Sequence, residues 1–303
     1  MNAAPVLLAY AAAVGAGAPH LLVRSAWPYR APALGATVWL ALILSFTVAV
    51  ALAAAQLAAP TGHLHAGLVG LLHACGLDAP EPTASGPTIA GRLAVAMPLA
   101  VVAAFGGAFL FHLARSGLLR ARHRDRLDKV GTRCERLRAT VLPHAVPGAY
   151  CLPGFRPRIV VSDAAVRLLT TEQLDAVLEH ERCHVAGRHH LPLAATEAFA
   201  TVFPWLPLAR RARTQMAVLL EMTADDRALR RQSDETLATA VYEMAAARTP
   251  EGAIGAGGST ALLRMKRILG PRPAPHPALR GSLASAALTA PLLPLLVACP
   301  PGI

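Results

Sequence analysis

The sequence predicts a mainly α-helical membrane protein with four transmembrane helices and one α+β domain outside the bilayer that carries a small β-hairpin. Three observations predict it. The 303 residues are 54% hydrophobic and only 16% charged, where a soluble domain carries about 25% charged residues. Lys and Arg are absent from Ala31 to Gly91 and crowded from Arg115 to Arg138, the uneven spacing that sets membrane topology. Between residues 115 and 281 the pattern changes to mixed polar and apolar runs with turn and capping signals.

A bilayer core needs about 20 apolar residues as helix. Residues 3–23 come near this, interrupted by glycines, Pro19 and His20. Residues 36–57 carry no charge, and residues 93–114 have only His112 near their end. A fourth segment, Ser282–Cys299, is shorter and contains Pro291 and Pro294, which spanning helices tolerate. The domain expectation is therefore three spans in residues 1–114 with an outer loop at 58–91, a cytoplasmic domain at 115–281, and a last span with an outer tail at 282–303. Orientation follows the basic residues. Arg24 and Arg30 mark the first loop as inner, the second loop holds only Asp78 and Glu81, and Arg264, Lys266, Arg267, Arg272 and Arg280 precede the last span. Both termini are expected outside a multi-pass cell-membrane protein.

The net charge of +11 is placed as a topology signal, so membrane lipid is the expected contact and direct nucleic-acid binding is not. The five cysteines show no CxxC spacing, which indicates neither a disulfide scaffold nor a zinc ribbon. Cys75 and Cys299 share the expected outer face, where they read as two unpaired thiols or, alternatively, as a bridge. No cleavable leader is expected, because the first apolar stretch lacks a basic start.

Within 115–281, Arg115–Leu137 reads as a charged helix leaving the membrane. Ala149–Leu152 and Arg158–Ser162 flank Pro153-Gly154 and read as a hairpin. Thr170 and Gln173 form a capping box that opens a helix to Ala186, with Gly187 as its stop. Leu191–Ala209 is apolar but carries Glu197 and three prolines, and reads as a helix buried in the domain or lying against the membrane. Arg210–Arg231 is a further long helix, and Glu251–Ser259 a loop.

The capped helix contains His180-Glu181-Arg182-Cys183-His184, an HExxH pattern. Residues four apart share a helical face, so His180 and His184 offer two imidazoles to one tetrahedral Zn2+. Glu181 beside them is the expected catalytic base, taking a proton from a water that the metal acidifies. Two candidates offer the third ligand. Glu221, with Asp225 on the same face, gives a ligand carboxylate and a hydrogen-bond acceptor for a ligand histidine, the gluzincin-like arrangement. His190 completes HExxHxxGxxH with Gly187, the metzincin spacing. The oxyanion donor is left among Tyr150, His189, Arg227 and Tyr242, and Arg158–Ser162 is the expected edge strand for an extended substrate.

On the hairpin ending Arg158-Ile-Val-Val-Ser, the Glu172–Glu181 approach, Trp205-Leu206-Pro207 and Glu221-x-x-x-Asp225, the chain resembles the BlaR/MecR-type membrane zinc metallopeptidases, the antirepressor family. The resemblance implies His180, His184 and Glu221 as zinc ligands and Glu181 as base. It implies a protein substrate, a cytoplasmic winged-helix transcriptional repressor, cut in regulated proteolysis. The β-lactam sensors of that family carry a penicillin-binding domain after the last span, and the expectation here is a member without it. HtpX-type quality-control proteases share the two motifs, and a non-catalytic zinc-containing membrane receptor is the third reading.

Overall fold

The computed structural model describes residues 3–58, 89–247, 256–271 and 276–298. Its order begins with α1 (Ala4–Ala12), a π-helical turn (Ala13–Gly17), α2 (Ala18–Arg24), α3 (Trp27–Arg30) and α4 (Pro32–Ala58). It continues with α5 (Ile89–Val130), β1 (Thr132–Cys134), β2 (Ala139–Leu142), β3 (Ala149–Leu152) and β4 (Arg158–Ser162). Then follow α6 (Asp163–Leu168), α7 (Thr171–Ala186), α8 (His190–Val202), α9 (Pro207–Ala228), α10 (Asp234–Ala246), α11 (Ala256–Leu269), α12 (Pro277–Thr289) and α13 (Leu293–Ala298).

Three helical stretches among the described residues are long and apolar enough to cross a membrane: Ala4–Arg24, Pro32–Ala58 and Val95–Val130. The third span and the charged helix after it are one helix, α5, which ends at Val130. Gly131 and β1 occupy part of the range expected to stay helical to Leu137. Ser282–Cys299 is divided between α12 and α13, with the break at Ala290–Leu292 around Pro291. It is not among the membrane-length helices found in the described residues. The expected outer loop, with Cys75, and also Cys299 lie outside the described residues. So do residues 251–255 of the expected loop, while Ala256–Ser259 begin α11.

The sheet has the order β1-β2-β4-β3. β1 and β2 are antiparallel, β2 and β4 parallel, and β3 and β4 antiparallel, with Cys151 opposite Ile159. The predicted hairpin forms as β3 and β4, while β1 and β2 were not anticipated; at three and four residues they are too short to show an alternation. This order corrects the substrate-strand expectation. Arg158–Ser162 is interior, paired on both sides, and the edges are Ala149–Leu152 and Thr132–Cys134.

The segment Leu191–Ala209, expected to be buried in the domain or to lie against the membrane, is packed against other helices. α8 and α9 form a helical hairpin inserted among the apolar helices. Phe199, Leu208, Ala209, Ala212, Met216, Leu219 and Leu220 share one core with Ala11, Val14, Ala36, Trp39, Ile43, Phe46 and Ala49. The three-and-four spacing of the α9 members places them on one helical face. The space a side chain on Gly35 would fill holds Leu219, and the space beside Gly15 holds Phe46 and Leu206. The pairs Gly35–Leu219 and Phe46–Leu206 make α4 and α9 antiparallel, and the hairpin tip reaches about 16 Å along α4, at 1.5 Å per residue. Phe199 is fully buried there, edge-on to Phe46 and Phe105. The apolar helices and the Glu221 helix therefore share one packing unit.

Candidate metal centre

α7 begins where the sequence places it. Thr170 Oγ1 accepts from the Gln173 N–H, and Gln173 Oε1 accepts from the Thr170 N–H at 2.9 Å. Leu174, Ala176 and Leu178 are buried, which leaves His180 and His184 on the face turned to α9. The helix ends at Ala186 with Gly187 as its cap, as the sequence indicates, but the left-handed residue is Arg188 (φ 48°), while Gly187 is right-handed (φ −77°). Gly187 is needed for space, since a Cβ there would stand 2.5 Å from His189 Nε2 and 3.1 Å from the Cys183 carbonyl oxygen. The turn folds His189 back over His184.

Three side chains from two helices converge. His180 Nε2 and His184 Nε2 are 3.1 Å apart, His180 Nε2 and Glu221 Oε2 3.4 Å, and His184 Nε2 and Glu221 Oε1 3.3 Å. The two imidazoles face different oxygens of the Glu221 carboxylate, one ligand atom from each of the three residues lies within 4.8 Å of the others, and the imidazole–imidazole–carboxylate set suits zinc chemically. Glu221 is 35% exposed, so the site opens to solvent on that side.

The surrounding groups orient these donors. Asp225, on the next turn of α9, has Oδ1 3.0 Å from His180 Nδ1 and is 1% exposed. His189 Nδ1 lies 2.8 Å from His184 Nδ1 with the rings perpendicular. Burial, and then the neighbouring His184, lower the His189 pKa to about 4. His189 is thus neutral at pH 7, and one of the two Nδ1 atoms donates to the other; a His184 that offers Nε2 to a metal donates from Nδ1–H to His189. Burial acts to lower the His180 pKa, but hydrogen bonding to Asp225 and Glu221 carries it up to about 9. Burial acts to raise both carboxyl pKa values, yet the Glu221 and Asp225 carboxyls sit below their ordinary range because His180 is beside both, with His184 next to Glu221 and Arg264 next to Asp225.

Glu181 faces the edge strand. The Cys151 thiol on β3 is pushed up to about 12 by burial and then by the Glu181 carboxylate. Tyr150 is tied to α5 through His123 Nε2 at 2.6 Å, and Tyr242 and Arg227 are exposed. His189, one of the oxyanion-donor candidates, is buried against His184. His190 is not part of the group of metal-binding side chains found among the described residues, which is His180, His184 and Glu221. It starts α8, where burial and then Arg120 and Arg188 lower its pKa.

One member of the site was missed in the sequence. Arg264 of α11 donates from Nε to Asp225 Oδ2 (2.8 Å) and from Nη2 to Asp225 Oδ1 (2.6 Å), and its Nη1 is 3.0 Å from Glu221 Oε2. It lies 39 residues beyond its carboxylate partner, so no local spacing marks it.

No curated protein and no solved structure matches the chain. Residues 115–245, the span that holds α7, α9 and every candidate ligand, match the family model described as Peptidase family M48, which supports a metallopeptidase.

Proposed function

We propose that the chain is a membrane-anchored zinc metalloendopeptidase that holds its metal through His180, His184 and Glu221. The observation that carries the reading is the convergence of His180, His184 and Glu221 from α7 and α9 at contacts of 3.1–3.4 Å, with Glu181 next to the first of them. When bound, zinc supplies Lewis acidity that polarises a peptide carbonyl and acidifies water toward a pKa of about 7. Glu181 takes the water's proton and delivers it to the leaving amine. Asp225 and His189 hold the two imidazoles in register. β3 is the sheet edge beside Glu181, and an extended substrate adds to it as a further strand.

Glu181→Gln tests the catalytic role. It should keep zinc, because Glu181 is not a ligand, and should lose peptide hydrolysis by about 10²–10⁴-fold. Undiminished hydrolysis in the zinc-loaded variant would exclude this base, and undiminished biological function would favour a non-catalytic zinc receptor. The finer reading, regulated cleavage of one cytoplasmic winged-helix repressor, is supported by the antirepressor-like motifs. Incubating the active protein with a panel of misfolded membrane proteins separates it from HtpX-like quality control. Wide cleavage would count against a dedicated repressor substrate.

A further inference from the structure

Two imidazoles and two carboxylates have roles in the metal reading; the buried guanidinium beside them has none. The Arg264 side chain is 15% exposed, and its planar fork touches two carboxylates on successive turns of α9. Its Nη2 also lies 3.5 Å from His180 Nδ1. One turn further along α11, Arg267 donates from Nε to the Tyr29 carbonyl at 2.7 Å and pairs with Asp226 at 2.7 Å. Tyr29 in turn donates from its hydroxyl to Gln215 Oε1 at 2.9 Å. α11 is thereby fixed at one end to the metal-site carboxylates and one turn later to the segment between the first two apolar helices.

We propose that Arg264 is a positioning residue of the metal centre, locking Asp225 onto His180 Nδ1 and Glu221 between the two imidazoles. This rests on the metal reading above. Two effects oppose each other when the guanidinium is removed. As a bare positive charge beside a Zn2+ site, its loss would tighten metal binding. As a clamp, its loss would weaken it. The clamp dominates for a physical reason. Asp225 is 1% exposed and takes two hydrogen bonds from Arg264, so water cannot replace them when the guanidinium is removed, and the carboxylate is no longer held against His180 Nδ1. Lysine keeps the charge but cannot fork across both oxygens of Asp225 and on to Glu221.

The test is zinc affinity of the full chain in detergent, measured by competition with a fluorescent chelator, for wild type, Arg264→Lys, Arg264→Gln, Asp225→Ala and the Arg264→Gln/Asp225→Ala double variant. Far-UV circular dichroism of the metal-free proteins reports folding. Arg264→Gln should weaken zinc by about 10–100-fold, with Arg264→Lys between it and wild type. The double variant should lose less than the product of the two single losses, because both act on one carboxylate. Should Arg264→Gln fail to fold, Arg264→Lys alone decides by whether its affinity drops. Unchanged or tightened zinc binding in the folded Arg264 variants overturns the positioning role. A wild-type chain that does not bind zinc overturns the metal reading instead.

Discussion

His180 holds a proton in the metal-free protein that zinc must displace. Burial disfavours the imidazolium, but Asp225 at 3.0 Å and Glu221 at 3.4 Å outweigh it and set the pKa at about 9. At pH 7 the ring is neutral in about one molecule in a hundred, so the zinc association constant lies about 100-fold below its limit, or about 2.7 kcal/mol. Affinity should rise about tenfold per pH unit from pH 7 to 8.5 and level off above about 9. The stability sign runs the other way. A raised pKa contributes stability that is complete below the unfolded value of 6.5 and lost as pH rises through about 9. The depressed Glu221 and Asp225 contribute above their ordinary 4.5 and 3.8 and lose that contribution toward acid. The metal-free protein is therefore weaker at pH 9.5 than at pH 6.5, and the zinc-induced rise in Tm is larger at the higher pH. The assay is a chelator competition titration from pH 6.5 to 9.5, corrected for the chelator's own protonation. A flat affinity profile between pH 7 and 8.5 would refute the reasoning. In Asp225→Asn the slope should shrink, because His180 then loses its main carboxylate partner.

Two further outcomes follow from packing. Gly187→Ala drives a methyl into the His189 ring and the Cys183 carbonyl; it should displace His189 from His184 and weaken zinc by about 10–100-fold, read by the same titration. Phe199→Ala opens the junction among Phe46, Phe105 and Phe203 and should destabilise the protein by about 3–5 kcal/mol, measured as a lowered midpoint in denaturant while zinc stoichiometry of the folded protein is kept.

The site was readable in the sequence where its groups lie one or two turns apart on one helix. His180, Glu181 and His184 declare themselves by spacing, and so do Glu221 and Asp225. The capping box at Thr170 fixed the start of α7 for the same reason: each partner is three residues from the other. Contacts set by tertiary folding left no such trace. Arg264 meets Asp225 across 39 residues, and His189 reaches His184 through a left-handed turn at Arg188 that a non-glycine residue does not advertise. The exchange of β4 for β3 as the sheet edge has the same origin, because the parallel partner β2 comes from a short strand with no alternation to read. The hydropathy of Leu191–Ala209 pointed to a buried helix, but not to its partners: it packs among the apolar helices in a hairpin with α9, and the Glu197–Arg213 pair at 2.7 Å joins the two arms.

Zinc content of the purified chain and three single variants tests the central claim most directly. After exposure to zinc and desalting, wild type and His190→Ala should each retain about one zinc per chain, while His184→Ala and Glu221→Ala retain almost none. Zinc kept by Glu221→Ala but lost by His190→Ala would contradict the account.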